Sequence, residues 1–368
     1  MKTIRVLHVI GIMNRGGAET MIMNLYRNTD REKVQFDFVE NTQETGIYEK
    51  EILSLGGRVF HCPKFNGNVF SYMKWWDAFF DEHKDEYAFV HGHIGSTAAM
   101  YLYSAKKHGI KTIAHSHNTY EKHFSFNQLE YQCLSYPVRF IADYFFACSK
   151  EAGISRYGNK TSFRIIRNAI DTQQFKYKKA EEELLQELKI SSDVSVFGHV
   201  GRFDKQKNHS FLLKIFKTIC ETDHNAVLLL AGDGPMRAEI EKEAVELGIK
   251  DHVRFLGVRE DIPDLLNCMD VMIFPSVYEG LPVTLVEAQC SGLRCLVSDA
   301  VSDEIVLVKD LITFMSLDQS EEEWARKAEE LSVYNRRSCE KEVAEAGYDI
   351  KENAEWLQNF YLEGGNRS

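Results

Sequence analysis

Short apolar runs recur along the chain, each bounded by polar or glycine-containing turns and followed by apolar residues at helical spacing. In the first half the strand-like runs are Ile4–Ile10, Val34–Val39, Ala88–His91, Thr112–Ala114 and Tyr144–Ala147. In the second half they are Ser195–Val200, Ala226–Ala231, Val253–Leu256, Val271–Phe274 and Arg294–Ser298. Helical patterns such as Ala18–Asn28 and Met236–Leu247 lie between them. Apolar strands alternating with helices predict parallel sheets covered on both faces, an α/β class. Two such series in succession predict two doubly wound, Rossmann-like domains, and 368 residues give each enough chain for its own core. The join is expected near Asn168-Ala169-Ile170-Asp171, before the charged helical stretch Lys178–Leu188. The domains are then 1–171 and 172–345. A last segment, 346–368, ends a helical pattern spanning Glu340–Tyr361, with Trp356, Phe360 and Tyr361 as apolar anchors.

Composition narrows the class without changing this layout. A hydrophobic share of 44% and a charged share of 27% fit an ordinary globular protein. No apolar run approaches the roughly 20 residues that span a bilayer. Met1–Ile10 is interrupted by Arg5 and His8, so it reads as a first strand rather than a signal peptide. The 8 cysteines include no Cys-x-x-Cys pair, which predicts buried free thiols, a reducing, cytoplasmic setting and no structural zinc. A net charge of −11 argues against nucleic acid as a partner. The charge is uneven: residues 1–170 hold 21 Lys and Arg against 17 Asp and Glu, whereas the remainder holds 23 against 38. That asymmetry suits a first half facing an anionic partner, such as a membrane surface or a lipid diphosphate. It equally suits uneven surface charge with no partner.

Candidate chemistry gathers where the predicted strands end. Val271–Phe274 is stopped by Pro275, and Glu279-Gly280-Leu281 forms a loop before a helix for which Pro282 suits the first turn. Glu279 then lies at the mouth of the helix and Glu287 inside it, where free N–H groups and a positive dipole attract phosphate. Gly201–Asn208 follows the strand Ser195–Val200 and carries Arg202 and Lys207, two cations suited to neutralising a diphosphate leaving group. The chain contains no Asp-x-Asp pair, so the usual metal-binding signature of metal-dependent transferases is missing. Gly232-Asp233-Gly234-Pro235 and Phe255-Leu256-Gly257 end two further strands.

In the first half, Gly16 and Gly17 open a helix after the first strand, without the dinucleotide or P-loop fingerprint. His91-Gly92-His93 and His115-Ser116-His117-Asn118 each end a predicted strand. No carboxylate or cysteine completes a metal site with them, so no metal is assigned. An imidazole there can instead hydrogen-bond a hydroxyl or stabilise developing charge. The stretch Tyr120–Arg167 mixes aromatics with cations, and an acceptor- or membrane-facing surface and a packed core are both open readings.

The setting Pro275-Ser276-x-Tyr278-Glu279-Gly280-Leu281-Pro282, with Glu287 eight residues after Glu279, resembles the signature of retaining glycosyltransferases of family four. Gly16-Gly17-Ala18-Glu19, the strand-end histidines, the Arg202–Lys207 loop and the Gly232 loop follow the family's order. The resemblance implies the GT-B fold: two facing domains, with the last helix crossing back to the first. It also implies a metal-independent transfer from a nucleotide sugar, expected to be UDP-linked, needing no cofactor. Arg202 and Lys207 would hold the diphosphate, Glu287 the ribose, and Glu279 with Gly280 and Leu281 the sugar. Gly16, Gly17 and Gly232 would border the phosphates, and Val258 the base. His117 would face the transferred sugar, so Glu279, His117, Arg202 and Lys207 form the catalytic set.

His91, His93, His115 and Asn118 would lie on the acceptor side. The expected acceptor is a saccharide, free or linked to a polyprenyl diphosphate, in the assembly of a bacterial capsule or exopolysaccharide. Peripheral contact of the first domain with the inner face of the cell membrane goes with that expectation. A nucleotide-sugar 2-epimerase of the same fold and a non-catalytic nucleotide-sugar binder are the alternatives. One departure stands out: Ala169 occupies a position at the join where the family usually has glycine, which bears on interdomain geometry because alanine restricts positive φ.

Overall fold

The computed structural model describes residues 3–83, 85–117, 134–191 and 194–365. The chain divides into two compact units: Met1–Ala169 together with Ile350–Ser368, and Ile170–Asp349. Each is built on a parallel sheet, as short apolar strands alternating with helices require. The N-terminal unit has β1 (Ile4–Ile10), β2 (Val34–Glu40), β3 (Val59–His61), β4 (Tyr87–Gly92), β5 (Lys111–Ser116), β6 (Tyr144–Ala147) and β7 (Arg164–Ile165), in the order β3-β2-β1-β4-β5-β6-β7. The other unit has β8 (Val196–Val200), β9 (Val227–Ala231), β10 (Val253–Gly257), β11 (Val271–Phe274), β12 (Arg294–Ser298) and β13 (Ile312–Met315), in the order β10-β9-β8-β11-β12-β13. Of these strands, β3, β7 and β13 escape the sequence pattern. All three are sheet edges of two to four residues, too short to show a period.

Both sheets reverse direction of growth at one point, between β1 and β4 and between β8 and β11. Loops leaving two such strands diverge and open a crevice at their carboxyl ends. Alternation along β1 shows how the sheet is covered. Val6 and Ile10 pack in one layer with the helices Gly17–Arg27 and Ile350–Leu362, while Leu7 and Val9 pack in the other with Trp76 and Tyr101. His8 falls on the first of these faces and is fully buried.

The expected single helix over Glu340–Tyr361 is in fact broken. A short helix, Glu340–Val343, is followed by a turn in which Gly347 adopts φ 85°, and a second helix runs Ile350–Leu362. A left-handed residue cannot continue a right-handed helix, and glycine takes that conformation without steric penalty. Beyond the break the chain rejoins the N-terminal unit, where Ala354, Leu357, Phe360 and Tyr361 are buried. Each of the large side chains contributes about 1.5–3 kcal/mol by leaving water. Just after Gly347, Ile170 N donates to Tyr348 O at 3.0 Å and Thr172 Oγ1 to Asp349 Oδ2 at 2.5 Å, which ties together the segments where the chain enters and leaves the C-terminal unit. Ala169 is buried in the first unit's core, and among the described residues only Lys189 and Asn208 are non-glycines with positive φ. Alanine at the join therefore sits in an ordinary backbone conformation.

Candidate active site

In the C-terminal unit, the loops after β8 and β11 meet at the switch point. Asp204 accepts a hydrogen bond from Lys207 N at 3.2 Å, capping a short 3₁₀ turn, and Asn208 then adopts φ 56° and ψ 45° to start the helix His209–Thr222. Asparagine tolerates that left-handed position better than most residues. Val277 N donates to Gln206 O at 2.8 Å and Gln206 Nε2 donates to Tyr278 O at 3.0 Å, so the two loops are stitched together. The result is an ion pair, Lys207 Nζ to Glu279 Oε1 at 2.6 Å, with side-chain exposures of 14% and 8%. Lys207 Nζ also lies 4.6 Å from the centre of the Phe274 ring, a cation–π contact. An ion pair this enclosed persists only with close geometry, and either partner alone would be an uncompensated charge.

The remaining predicted residues of this unit fall around that pair. Arg202 is exposed and makes no ion pair among the described residues. Glu287 lies in the helix Val283–Cys290, partly buried, and enclosure by protein pushes its carboxyl up to about 7. Pro282 does not enter the first helical turn. It stands just before it with ψ 114°, an extended conformation, and its carbonyl accepts from Leu285 N at 3.1 Å. Gly280 is exposed with open space where a Cβ would lie, and Leu281 packs against the apolar core. Gly232 adopts φ 138°, and a Cβ there would fall on the carbonyl oxygen of Gly201. Only glycine permits that approach between the β8 and β9 loops. Val258, after β10, is exposed.

In the N-terminal unit, the loop after β1 is pinned from below. Glu40, at the end of β2, accepts from Met13 N at 2.9 Å, and Asn14 Oδ1 accepts from Ile47 N at 3.0 Å. Gly16 then caps the helix Gly17–Arg27 with no side-chain hydrogen bond, the Glu19 carboxylate lies where a Cβ on Gly16 would stand, and Gly17 is exposed. The ends of β4 and β5 bring the predicted histidines together and add one more. His8 Nδ1 lies 3.0 Å from His93 Nε2, and His93 Nδ1 lies 2.8 Å from His117 Nε2. His91 Nε2 lies 3.1 Å from His115 Nδ1, while His91 Nδ1 meets Tyr361 Oη at 2.7 Å. Burial lowers all five imidazoles below the usual range, His8 to about 3 and His117 to about 4. Removing a cation from water is expensive, so all five are neutral near pH 7. Asn118 lies outside the described residues, as does the stretch from Tyr120 to Cys133.

Sequence reasoning missed His8, Glu40 and His199. His8 sits in mid-strand, where a lone polar residue carries no local signal. Only the register His8↔His91 reveals that it joins the strand-end histidines. Glu40 likewise needs the sheet order to be placed under the glycine loop. His199, fully buried in β8, stacks on Phe274 with ring centres 5.2 Å apart and faces Ile273 O through Nδ1 at 2.9 Å, supporting the base of the Lys207 loop.

Comparison with known proteins places the chain in a family. Residues 15–174 match the model of Glycosyltransferase Family 4, and residues 180–346 that of Glycosyl transferases group 1. EpsF of Bacillus subtilis (strain 168), named as a candidate glycosyltransferase, is 38% identical over 97% of this chain and 96% of its own. The Escherichia coli UDP-Gal:alpha-D-GlcNAc-diphosphoundecaprenol alpha-1,3-galactosyltransferase is 24% identical over 76% of each chain. Among solved structures, Anabaena Alr3699/HepE in complex with UDP superposes with a TM-score of 0.75 at 17% identity, covering 98% of this chain and 100% of that one. That likeness establishes the shared GT-B type of architecture, two parallel-sheet Rossmann-like units.

Proposed function

The chain belongs to glycosyltransferase family four, and from that premise we propose that it moves a hexosyl group from a UDP-linked sugar to a lipid-diphosphate-linked saccharide. The transfer retains the anomeric configuration and uses no divalent metal. The observation that carries this reading is the enclosed Lys207–Glu279 pair at the switch point of the C-terminal sheet. A diphosphate arriving there offers Lys207 a doubly charged partner, which frees Glu279 to accept hydrogen bonds from sugar hydroxyls. Arg202, exposed on the same loop, supplies the second cation, and Glu287 takes the ribose. The glycines 16, 17 and 232 allow backbone to approach phosphate oxygens, Gly280 and Leu281 offer amides to the sugar, and Val258 borders the base. The UDP bound by the structural neighbour and the UDP-galactose donor of the Escherichia coli relative support the nucleotide, and the latter's diphosphoundecaprenol-linked acceptor supports the acceptor class.

In the reaction, the bond from the anomeric carbon to the diphosphate oxygen breaks and one from the acceptor oxygen forms on the same face. The acceptor's proton passes to the departing oxygen. Charge grows on the diphosphate as the bond breaks, so fixed cations there stabilise the transition state more than the ground state. His117 is assigned to the sugar as a neutral hydrogen-bonding group, with His91, His93 and His115 behind it and Asn118 on the acceptor side. No helix among the described residues is long and apolar enough to cross a membrane.

The test is nucleoside diphosphate release from a panel of nucleotide sugars, in EDTA, with a polyprenyl-diphosphate saccharide as acceptor. Release should survive EDTA and fall by about 10²-fold or more in Lys207→Ala and Glu279→Ala. Activity that requires a metal, or that is indifferent to both substitutions, would overturn the mechanism. An epimerised sugar formed without acceptor would overturn transfer itself.

A further inference from the structure

The five histidines at the carboxyl ends of β1, β4 and β5 form more hydrogen-bonding capacity than the fold uses. Each neutral imidazole has one N–H and one lone pair. In the row His8–His93–His117, two contacts consume four of the six ring nitrogens. His8 Nε2 and His117 Nδ1 are buried and have no partner among the described residues, and the same is true of His115 Nε2. A buried polar atom left in that state costs about 1–3 kcal/mol. Of the three, His115 Nε2 is the one offered to the site proposed next; His8 Nε2 and His117 Nδ1 lie outside its ligand set.

We propose that His93, His115 and His117 form a binding site for a borderline divalent transition metal, Zn²⁺ being the test case. One nitrogen from each lies within 4.8 Å of the others. The closest pair, His93 Nδ1 and His117 Nε2, is 2.8 Å apart. Two imidazoles on one tetrahedral zinc at about 2.0–2.1 Å stand roughly 3.3 Å from each other, so the ion replaces the hydrogen bond between these rings, each turning a lone pair to it, with an opening of about half an ångström. Neutral imidazole is the ligating form, so metal and protons compete for these rings. His115 is also braced from behind. Its Nδ1 meets His91 Nε2, and His91 Nδ1 meets Tyr361 Oη, the type of second layer that fixes a metal-bound imidazole. With His115 Nδ1–H donating to His91, the unpartnered Nε2 presents a lone pair.

A second triad, His8, His91 and His93, has comparable spacing but is more deeply buried, and it shares His93 with the first. His93 and His117 are partly exposed, so the outer triad is the one an ion can enter. Three neutral ligands leave the fourth position for water, hydroxide or an anionic oxygen, and a histidine set without thiolates favours zinc, copper or nickel over magnesium. The triad includes His117, so an ion bound there would replace the direct hydrogen bond assigned to His117 above, while the inference does not depend on the roles of Lys207 and Glu279.

The experiment is metal titration of chelator-stripped full-length protein with ZnCl₂, read by calorimetry and by elemental analysis after desalting. A parallel titration with Co²⁺ reads the intense visible bands of four-coordinate cobalt. One zinc per chain is expected, with affinity lowered at least tenfold in His93→Gln and His117→Gln and by less than either in His8→Asn, which removes only the partner of His93 Nε2. The cobalt bands of the unaltered protein test the site even if a variant fails to fold. Absence of retained zinc, or cobalt that stays six-coordinate and pale, overturns the proposal. Equal affinity in His117→Gln, or loss confined to His8→Asn, overturns the assignment to the outer triad.

Discussion

The two sheets present opposite chemistry at equivalent places. At the β8/β11 switch point, a lysine and a glutamate face each other as full charges, stitched by backbone bonds between their loops. At the β1/β4 switch point, the buried groups are imidazoles kept neutral by exclusion of water. Fold alone therefore does not decide the electrostatics of a crevice; the residues at the strand ends do. A neutral histidine row holds its chemistry only while the surrounding packing outcompetes protonation.

That difference gives the largest expected effect. Unfolded histidines titrate near 6.5, whereas the folded N-terminal cluster refuses protons until far lower, about 4 for His117 and about 3 for His8. Below pH 6.5 the unfolded chain binds protons that the folded chain does not, so stability falls as pH drops towards those folded values. Metal-free protein compared at pH 5 and pH 7.5 by hydrogen exchange should lose protection first, and by more than tenfold, in peptides from β1, β4 and β5. The C-terminal unit has two buried histidines, His199 and His209, and should follow later. Loss of protection in both units together would break the comparison.

A smaller effect is expected at Glu287, whose folded pKa is raised to about 7 from 4.5. Here the folded state holds the proton more tightly, so the carboxylate costs stability progressively above pH 4.5 and fully above about pH 7. Glu287→Gln should raise the melting temperature by about 2 °C or more at pH 8, leave it unchanged near pH 4, and weaken donor binding. A variant that is less stable at pH 8 would mean that the ionised carboxylate is held by partners rather than merely enclosed. The smallest effect concerns the join. Ala169→Gly should destabilise by about 0.4–1 kcal/mol through the unfolded chain's added freedom, with kcat unchanged, as denaturant melts and donor turnover would show. A gain in kcat would give the missing family glycine a role that the buried alanine does not suggest.

Much of this was legible in the sequence because parallel strands, buried on both faces, leave unbroken apolar runs, and because functional loops follow them directly. Lys207 and Glu279 could be named before their contact was known, since each belongs to a strand-end motif. What remained hidden depends on strand order. His8 gains meaning only when β1 pairs with β4, and Glu40 only when β2 lies beside β1. The break at Gly347 was hidden for another reason: the apolar spacing runs on through the glycine, and only the left-handed backbone there separates two helices assigned to different units.

The contact between Gly232 and Gly201 bears on how such an enzyme could be redesigned. Phe203 N donates to Asp233 O at 3.1 Å and Met236 N donates to Phe203 O at 3.0 Å, while Gly232 N donates to Gly257 O at 2.8 Å. Three loops at the ends of β8, β9 and β10 are thus bonded to one another, keyed by a glycine with no room for a side chain. A library that varies one of them in isolation would mostly return misplaced backbone. Variation that keeps Gly201, Arg202, Gly232 and Gly234 and samples the exposed residues Asp233 and Val258 together would leave that frame intact.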